Sequence, residues 1–552
     1  MDNRDLNKYL QPAISQFENG KYEIAIEQLN YILEHWPEIP EIWFLLAVSY
    51  HQNNQFRDAE KSYKKAISLQ TLFPDAYNNL GVLYEKNNSL AAAEESYRKA
   101  ISQKPDYSNA HYNLGQLLQS QENIDEAIEH YLFALNSNPE YVSALNNLAM
   151  LYQTKGHTNK AKQYYLKALK LIPDDPEILN NYGYTLYRNY EYSSALDVLH
   201  TLLKKAPNFS DAYLNIGLIL QATGDLDSAK VYFSKASQDE RLALQAKNNI
   251  AHLELSRENY AEGWNYYQFR QSTRNKIQNI NTVKGSLSQA NRILLTKDQG
   301  IGDELFFLRF LPGLISEGKK VSYYCDRKLF NLLSTNLDNC EILDSSPSDG
   351  TFDLVTTIAD LPRYASNISH IPPAIKLHAE QTRIEKINLH LPNNDLPNIA
   401  ITWQAGVQGD NKLFKRIAPQ ELGSLLSTIE ANIIILQRNP SVKDIRELER
   451  GLKRKAFNYS YVNDSLDNIL ALLAIVDTYI GVSNTNMHLM ASLNKAAHVF
   501  VPHPPEWRWL HQGESSPWFP DFHLYRQNLA GEWGDALEKC RSTLTNHPNQ
   551  LF

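Results

Sequence analysis

Three short stretches carry residue types suited to binding and processing a phosphorylated ligand. The first is Gln299-Gly300-Ile301-Gly302-Asp303-Glu304, between the apolar run Ile293-Leu294-Leu295 and the helix-like segment Leu305-Phe306-Phe307-Leu308-Arg309-Phe310. Gly300 and Gly302 allow a tight strand-to-helix turn and close approach of a ligand. Asp303 falls at the helix start, where a carboxylate also caps free N–H groups. Gly-x-Gly by itself does not define a dinucleotide site, because the third glycine is missing. In the second stretch, Trp403-Gln404-Ala405-Gly406 ends an apolar run and opens a loop with Lys412, Lys415 and Arg416. Its cations suit neutralising a leaving phosphate. The third is Ser483-Asn484-Thr485-Asn486-Met487-His488, where Ser483, Asn484 and Thr485 could cap a helix and present N–H groups to a diphosphate. Plainer readings stand beside these: Asp303 as a cap alone, Arg416 as a surface charge, His488 as a packed helix residue.

The elements that position these turns read as α/β. Short apolar runs at Ile293–Leu295, Val321–Tyr324, Phe352–Val355, Ile399–Thr402, Ile433–Leu436, Thr478–Val482 and His498–Val501 are expected to be buried strands separated by helices. They predict two Rossmann-like lobes, 291–395 and 396–552, with the break near Leu391–Pro397. Ligands bind beyond the carboxyl ends of such strands. Two lobes facing across a cleft make the glycosyltransferase B-type architecture the leading candidate.

Residues 1–270 are organised differently. Asn79, Asn113, Asn147, Asn181, Asn215 and Asn249 recur every 34 residues, in register with Ala47, Gly81, Gly115, Ala149, Gly183, Gly217 and Ala251. A second register holds Ala25, Ala59, Ala93, Ala127, Ala161, Ala195 and Ala229. Such a period marks stacked helical hairpins, an α-solenoid. The pattern resembles the tetratricopeptide repeat, with seven clear units and an eighth, divergent one before a polar linker at 271–290. The asparagines then line the groove as a ladder able to hold an extended chain, or they bond neighbouring repeats to each other. The aromatic run Trp264–Phe269 is expected to pack against the domain that follows.

Bulk properties narrow the choices. A net charge of −8 over 552 residues, with no basic block, argues against nucleic acid as the main partner. The N-terminus lacks a signal-peptide core, and no apolar run reaches the roughly 18 residues a membrane span needs. Three scattered cysteines form neither a disulfide framework nor a zinc cluster. A cytoplasmic protein is expected.

Taken in order, Gln299–Asp303, Trp403–Gly406, Arg416, Leu436-Gln437, Asp477, Thr485–Leu493, Pro505–Trp509, Ser516–Pro520, Arg526-Gln527 and Trp533 resemble the C-terminal domain of bacterial tetratricopeptide-repeat glycosyltransferases. That domain is similar to the heptosyltransferases of glycosyltransferase family 9. The resemblance implies a metal-independent inverting enzyme that needs no cofactor and uses a nucleotide sugar as substrate. Asp303 would be the general base. Gly300, Gly302, Trp403, Gly406, Lys415, Arg416, Gln437, Ser483, Asn484, Thr485 and His488 would surround the donor. Where those relatives carry aspartate before Thr485, this chain has Asn484, which keeps hydrogen bonding but loses charge. Serine or threonine of a protein acceptor, flagellin by resemblance to flagellin-modifying enzymes, would be the target. The alternatives are a scaffold or chaperone with a degenerate transferase domain, and a saccharide or lipid glycosyltransferase.

Overall fold

The computed structural model describes residues 3–270, 287, 289–345, 347, 352–364, 371–392, 394–405 and 415–546. The chain packs as two compact units, Met1–Asn189 and Tyr190–Phe552. Residues 271–286 of the expected linker lie outside the described residues.

The first unit is all helical, running from Asn3–Glu18 to Pro176–Arg188. Successive helices pair as antiparallel hairpins, and the 34-residue registers explain how. Small residues of the first helix face an aromatic ring on the second. A Cβ placed on Gly81 would lie 2.6 Å from Tyr97 Cε1, and one on Gly115 would lie 2.8 Å from Tyr131 Cε1. Both rings are fully buried, and their hydroxyls donate to Glu85 (2.9 Å) and Gln119 (2.8 Å). The glycines therefore exist to admit a ring, since real cores have no room for overlap. Ala13, one period before Ala47 and fully buried, shows that the first helix Asn3–Glu18 belongs to the same series.

The second unit begins with five helices of the repeat type, Tyr192–Lys205 to Tyr260–Tyr267, where Gly217 meets Phe233 as Gly81 meets Tyr97. Two parallel sheets follow. The first contains β1 (Arg292–Thr296), β2 (Lys320–Tyr324), β3 (Glu341–Leu343) and β4 (Leu354–Thr357) in the order β3-β2-β1-β4. The second is built on β5 (Asn398–Thr402). After it comes a small antiparallel ribbon, β6 (Gln404–Ala405) with β7 (Lys415–Arg416). The sheet continues with β8 (Asn432–Ile435), β9 (Phe457–Asn458), β10 (Thr478–Val482), β11 (Ala497–Val501) and β12 (Phe522–Arg526), in the order β12-β11-β10-β5-β8-β9. Read outward from β5, this is the doubly wound order whose direction reverses between β5 and β10, the place at which open α/β sheets of this kind hold ligands. In the first sheet the order reverses between β1 and β4.

All seven apolar runs form strands, whereas β3, β9, β12 and the ribbon strands β6 and β7, within the stretch expected as a loop, lie outside those runs. β9 is two exposed residues at a sheet edge, and β12 alternates polar and apolar residues, so neither presents a continuous apolar run. Among the described residues, no helix is long and apolar enough to cross a membrane.

The last repeat helix packs onto the α/β core, as its aromatic density predicts. Trp264, 1% exposed, meets Phe307 (6.1 Å), Phe310 (6.2 Å), Trp507 (5.3 Å) and Trp518 (6.0 Å) by its edges and faces. Just beyond, Arg270 enters the carboxyl-end crevice of the first sheet. Its guanidinium binds Asp298 after β1 (2.8 Å), Asp360 after β4 (2.9 Å) and Thr357 (2.7 Å). All four residues are buried.

Candidate functional site

The turn after β1 is set by the same repeat helix. Tyr267 donates its hydroxyl hydrogen to Gln299 Oε1 at 3.3 Å, and Gln299 sits in the left-handed backbone region at φ 57°. Gly300 follows in extended conformation, and the helix Ile301–Phe307 begins. Asp303 Oδ2 accepts the Gly300 N–H at 3.3 Å, so Asp303 does cap its own helix. Its Oδ1 is ion-paired with Arg508, and its side chain remains 27% exposed. The cap and a chemical role are thus compatible.

Gly302 brings this turn against the turns of the second sheet. A Cβ there would lie 3.2 Å from His488 Cδ2 and 3.6 Å from Thr485 Oγ1. Thr485 opens the helix Thr485–Ser492 at the carboxyl end of β10, so the two sheets present their turns to one another. His488 lies between Phe306 (6.0 Å) and Phe519 (5.5 Å), with Nδ1 buried and unpartnered. Burial, then the cations Arg508, Arg309 and Lys415, hold its pKa well below the ordinary imidazole value, so the ring is neutral.

Arg508 and Glu506, on the turn after β11, were named in the sequence only as part of a motif without a role. Arg508 packs its guanidinium against Phe306 and Trp507, each 4.6 Å from the ring centre. Glu506 is ion-paired with Lys415 and accepts the Ser483 hydroxyl at 3.2 Å. Lys415 also donates to the Ser483 carbonyl at 3.4 Å, and Trp509 Nε1 donates to Ser483 Oγ at 3.0 Å. Asp303, Arg508, Glu506, Lys415, Ser483, Thr485 and His488 therefore form one polar cluster. An arginine inside an aromatic-rich Trp-Arg-Trp run was the available signal.

Other candidates are placed elsewhere or are spent on structure. Asn484 caps the helix by accepting the Asn486 N–H at 2.9 Å, and its amide donates to Thr402 and Tyr479, both at 2.9 Å. Gln437 Oε1 accepts the Trp403 and Gln404 N–H groups (3.0 and 2.9 Å), and Trp403 is 1% exposed, so both support the end of β5. Arg416 turns to Asp444 at 2.9 Å, while its carbonyl accepts from Trp533. Gly406 and Lys412 lie outside the described residues. Among the described residues, no group of three His, Cys, Asp or Glu side chains could hold a metal ion.

In the first unit, three of the ladder asparagines bond the preceding repeat. Asn113 donates to Asn78 (2.9 Å), Asn181 to Asn146 (3.3 Å), and Asn147 to Tyr112 (3.4 Å) and Tyr131 (3.3 Å). Asn79 accepts from Asn78 at 3.2 Å. In the second unit Asn215 is buried, and the Asn249 amide nitrogen is buried without a partner.

Buried histidines give stability a pH dependence. Burial lowers the pKa of His130 and His503 to about 4 and of His498 to about 3. The unfolded chain, with histidine near 6.5, then binds more protons below that pH, so stability is complete above about 6.5 and falls towards pH 4. Glu304, raised by burial to about 7, works in the opposite direction but is a single group. Thermal melts should give a lower midpoint at pH 5 than at pH 7.5, and an equal or higher midpoint would contradict this.

Models described as "Tetratricopeptide repeat" match residues 10–55, 51–108, 106–174 and 210–238. Protein FlbA of Caulobacter vibrioides is 22% identical over 380 residues, which take in 62% of this chain and 62% of that protein. The chain thus spans less than two thirds of the length of that curated relative. Among solved structures, MamA is 27% identical, covering 29% of this chain and 94% of its own with a TM-score of 0.28. YrrB, titled a TPR protein with an unusual peptide-binding site, is 24% identical, covering 34% and 98% with a TM-score of 0.31. The chain carries tetratricopeptide repeats followed by an α/β region with parallel sheets of four and six strands, and it is distantly homologous to FlbA.

Proposed function

We propose that the protein is an inverting, metal-independent O-glycosyltransferase that modifies serine or threonine of a protein held by its repeats. The observation that carries this reading is the convergence of the Gly300–Asp303 turn with Ser483, Thr485 and His488, beyond the carboxyl ends of both parallel sheets. A nucleotide sugar would lie at the crevice between β5 and β10, near Ser483, Thr485 and Lys415. The acceptor oxygen would form its bond to the anomeric carbon as the bond to the donor phosphate breaks. Asp303 would take the hydroxyl proton, and a nucleoside diphosphate would leave. Tetratricopeptide arrays bind proteins through extended surfaces, and in the first unit Asn79, Asn113, Asn147 and Asn181 would contact an extended acceptor segment. Asn215 and Asn249 are proposed for the same purpose in the second unit. Flagellin is the acceptor to test first, in the cytoplasm.

A non-catalytic scaffold is the second reading. It is favoured by the engagement of both Asp303 oxygens and by the internal bonding of Asn484. Intact-mass measurement of flagellin co-expressed with the full chain separates the two. A mass increment equal to a whole number of glycosyl residues is expected. An unmodified acceptor, together with stable acceptor binding, would favour the scaffold.

A further inference from the structure

The cluster described above holds two cations and two carboxylates in complementary pairs, Arg508 with Asp303 and Lys415 with Glu506. One pair joins the two lobes, because Asp303 belongs to the turn after β1 and Arg508 to the turn after β11. The other joins the ribbon strand β7 to the same turn, two residues away. Arg508 is nine-tenths buried, yet its Nε–H has no partner. A guanidinium carries five donors, and burial of an unmatched donor is costly unless another acceptor completes it. The charge of the four groups sums to zero, so both cations are already neutralised, and a dianion gains their full attraction by displacing the resident carboxylates.

We infer that the diphosphate of a nucleotide displaces Asp303 from Arg508 and Glu506 from Lys415, so that nucleotide binding itself releases the Asp303 carboxylate. This rests on the transferase reading and deepens it. Both Asp303 oxygens are engaged in the resting cluster, one by Arg508 and one by the Gly300 N–H. Phosphate oxygens match the guanidinium fork as well as a carboxylate does and bring more charge, so the exchange favours the incoming anion. Once Arg508 turns to phosphate, one Asp303 oxygen is free to accept the hydroxyl proton. The donor would therefore bind before the acceptor can react. Arg508 is in this account both a phosphate ligand and the group that restrains Asp303 until phosphate arrives. Glu506 plays the equivalent part for Lys415, held ionised because Lys415 and Arg508 outweigh the opposing effect of its burial.

The test is calorimetric binding of UDP, GDP, ADP and CDP to the full chain and its variants. Removing the competing carboxylate in Asp303→Asn should tighten binding of the preferred nucleotide about three- to tenfold, the net worth of roughly one ordinary hydrogen bond. Arg508→Gln should weaken it at least about tenfold, and Arg508→Lys should recover part of the loss. The double variant Asp303→Asn with Arg508→Gln should bind like Arg508→Gln alone, because the carboxylate acts only through the arginine. Unchanged or weaker binding in Asp303→Asn would overturn the exchange. So would the absence of nucleoside diphosphate binding in both the natural chain and Asp303→Asn. That comparison decides the matter even if Arg508 variants fail to fold. Tighter binding in Asp303→Asn, with the acceptor left unmodified by the natural chain, would uphold the exchange while removing the transferase reading.

Discussion

Asp303→Asn is expected to lower the rate of sugar transfer about 10²- to 10⁴-fold, the usual contribution of a positioned general base. Asparagine matches aspartate in shape and can still accept the Gly300 N–H at the helix start, so the cap survives the change. What disappears is the proton acceptor and the charge facing Arg508. If Asp303 were a cap alone, the variant would change stability by about 1 kcal/mol or less and leave transfer near its original rate. The measurement is the initial rate of mass increase on the acceptor, taken at saturating nucleotide sugar so that altered nucleotide affinity does not intervene. A rate within about threefold of the natural chain would remove Asp303 from the base role.

Arg270→Met is expected to destabilise the second unit by about 3–5 kcal/mol, the cost of leaving buried charge without its partner. Methionine fills a similar volume, so the loss is electrostatic rather than a cavity. Asp298 and Asp360, both at most 1% exposed, would remain in the crevice without the guanidinium that pairs with each of them. Chemical denaturation should show a lower midpoint, and adding Asp298→Asn and Asp360→Asn should restore part of it. Full stability in Arg270→Met would mean that water or another cation meets these carboxylates. The same latch bears on function. With Tyr267 it sets the turn carrying Gly300 to Asp303, so a loosened last repeat should also slow transfer.

Much of this architecture was legible from periodicity. The 34-residue registers specify hairpins because a glycine at 81 or 115 and a tyrosine sixteen residues later can be buried together only when two helices cross at that point. The continuous apolar runs of β1, β5 and β10 are readable because strands covered on both faces need no polar alternation. β9 and β12 were hidden because an edge pair and an alternating strand lack that run. At the site, spacing placed Asp303, Ser483 and Thr485 at strand-to-helix turns. It could not tell Lys415, which joins the cluster, from Arg416, which turns away to Asp444, although the two are adjacent. Successive side chains on a strand point to opposite faces, and which face meets the cleft depends on the ribbon's partner.

The sequence by itself determined the repeats, the parallel α/β region and the turns that carry candidate chemistry, since each depends on local spacing. Only the tertiary structure decided which charges meet. Arg508 and Asp303 are far apart in the chain, as are Arg270 and Asp360. Their pairing follows from sheet order and from the docking of the last repeat, which no local pattern encodes.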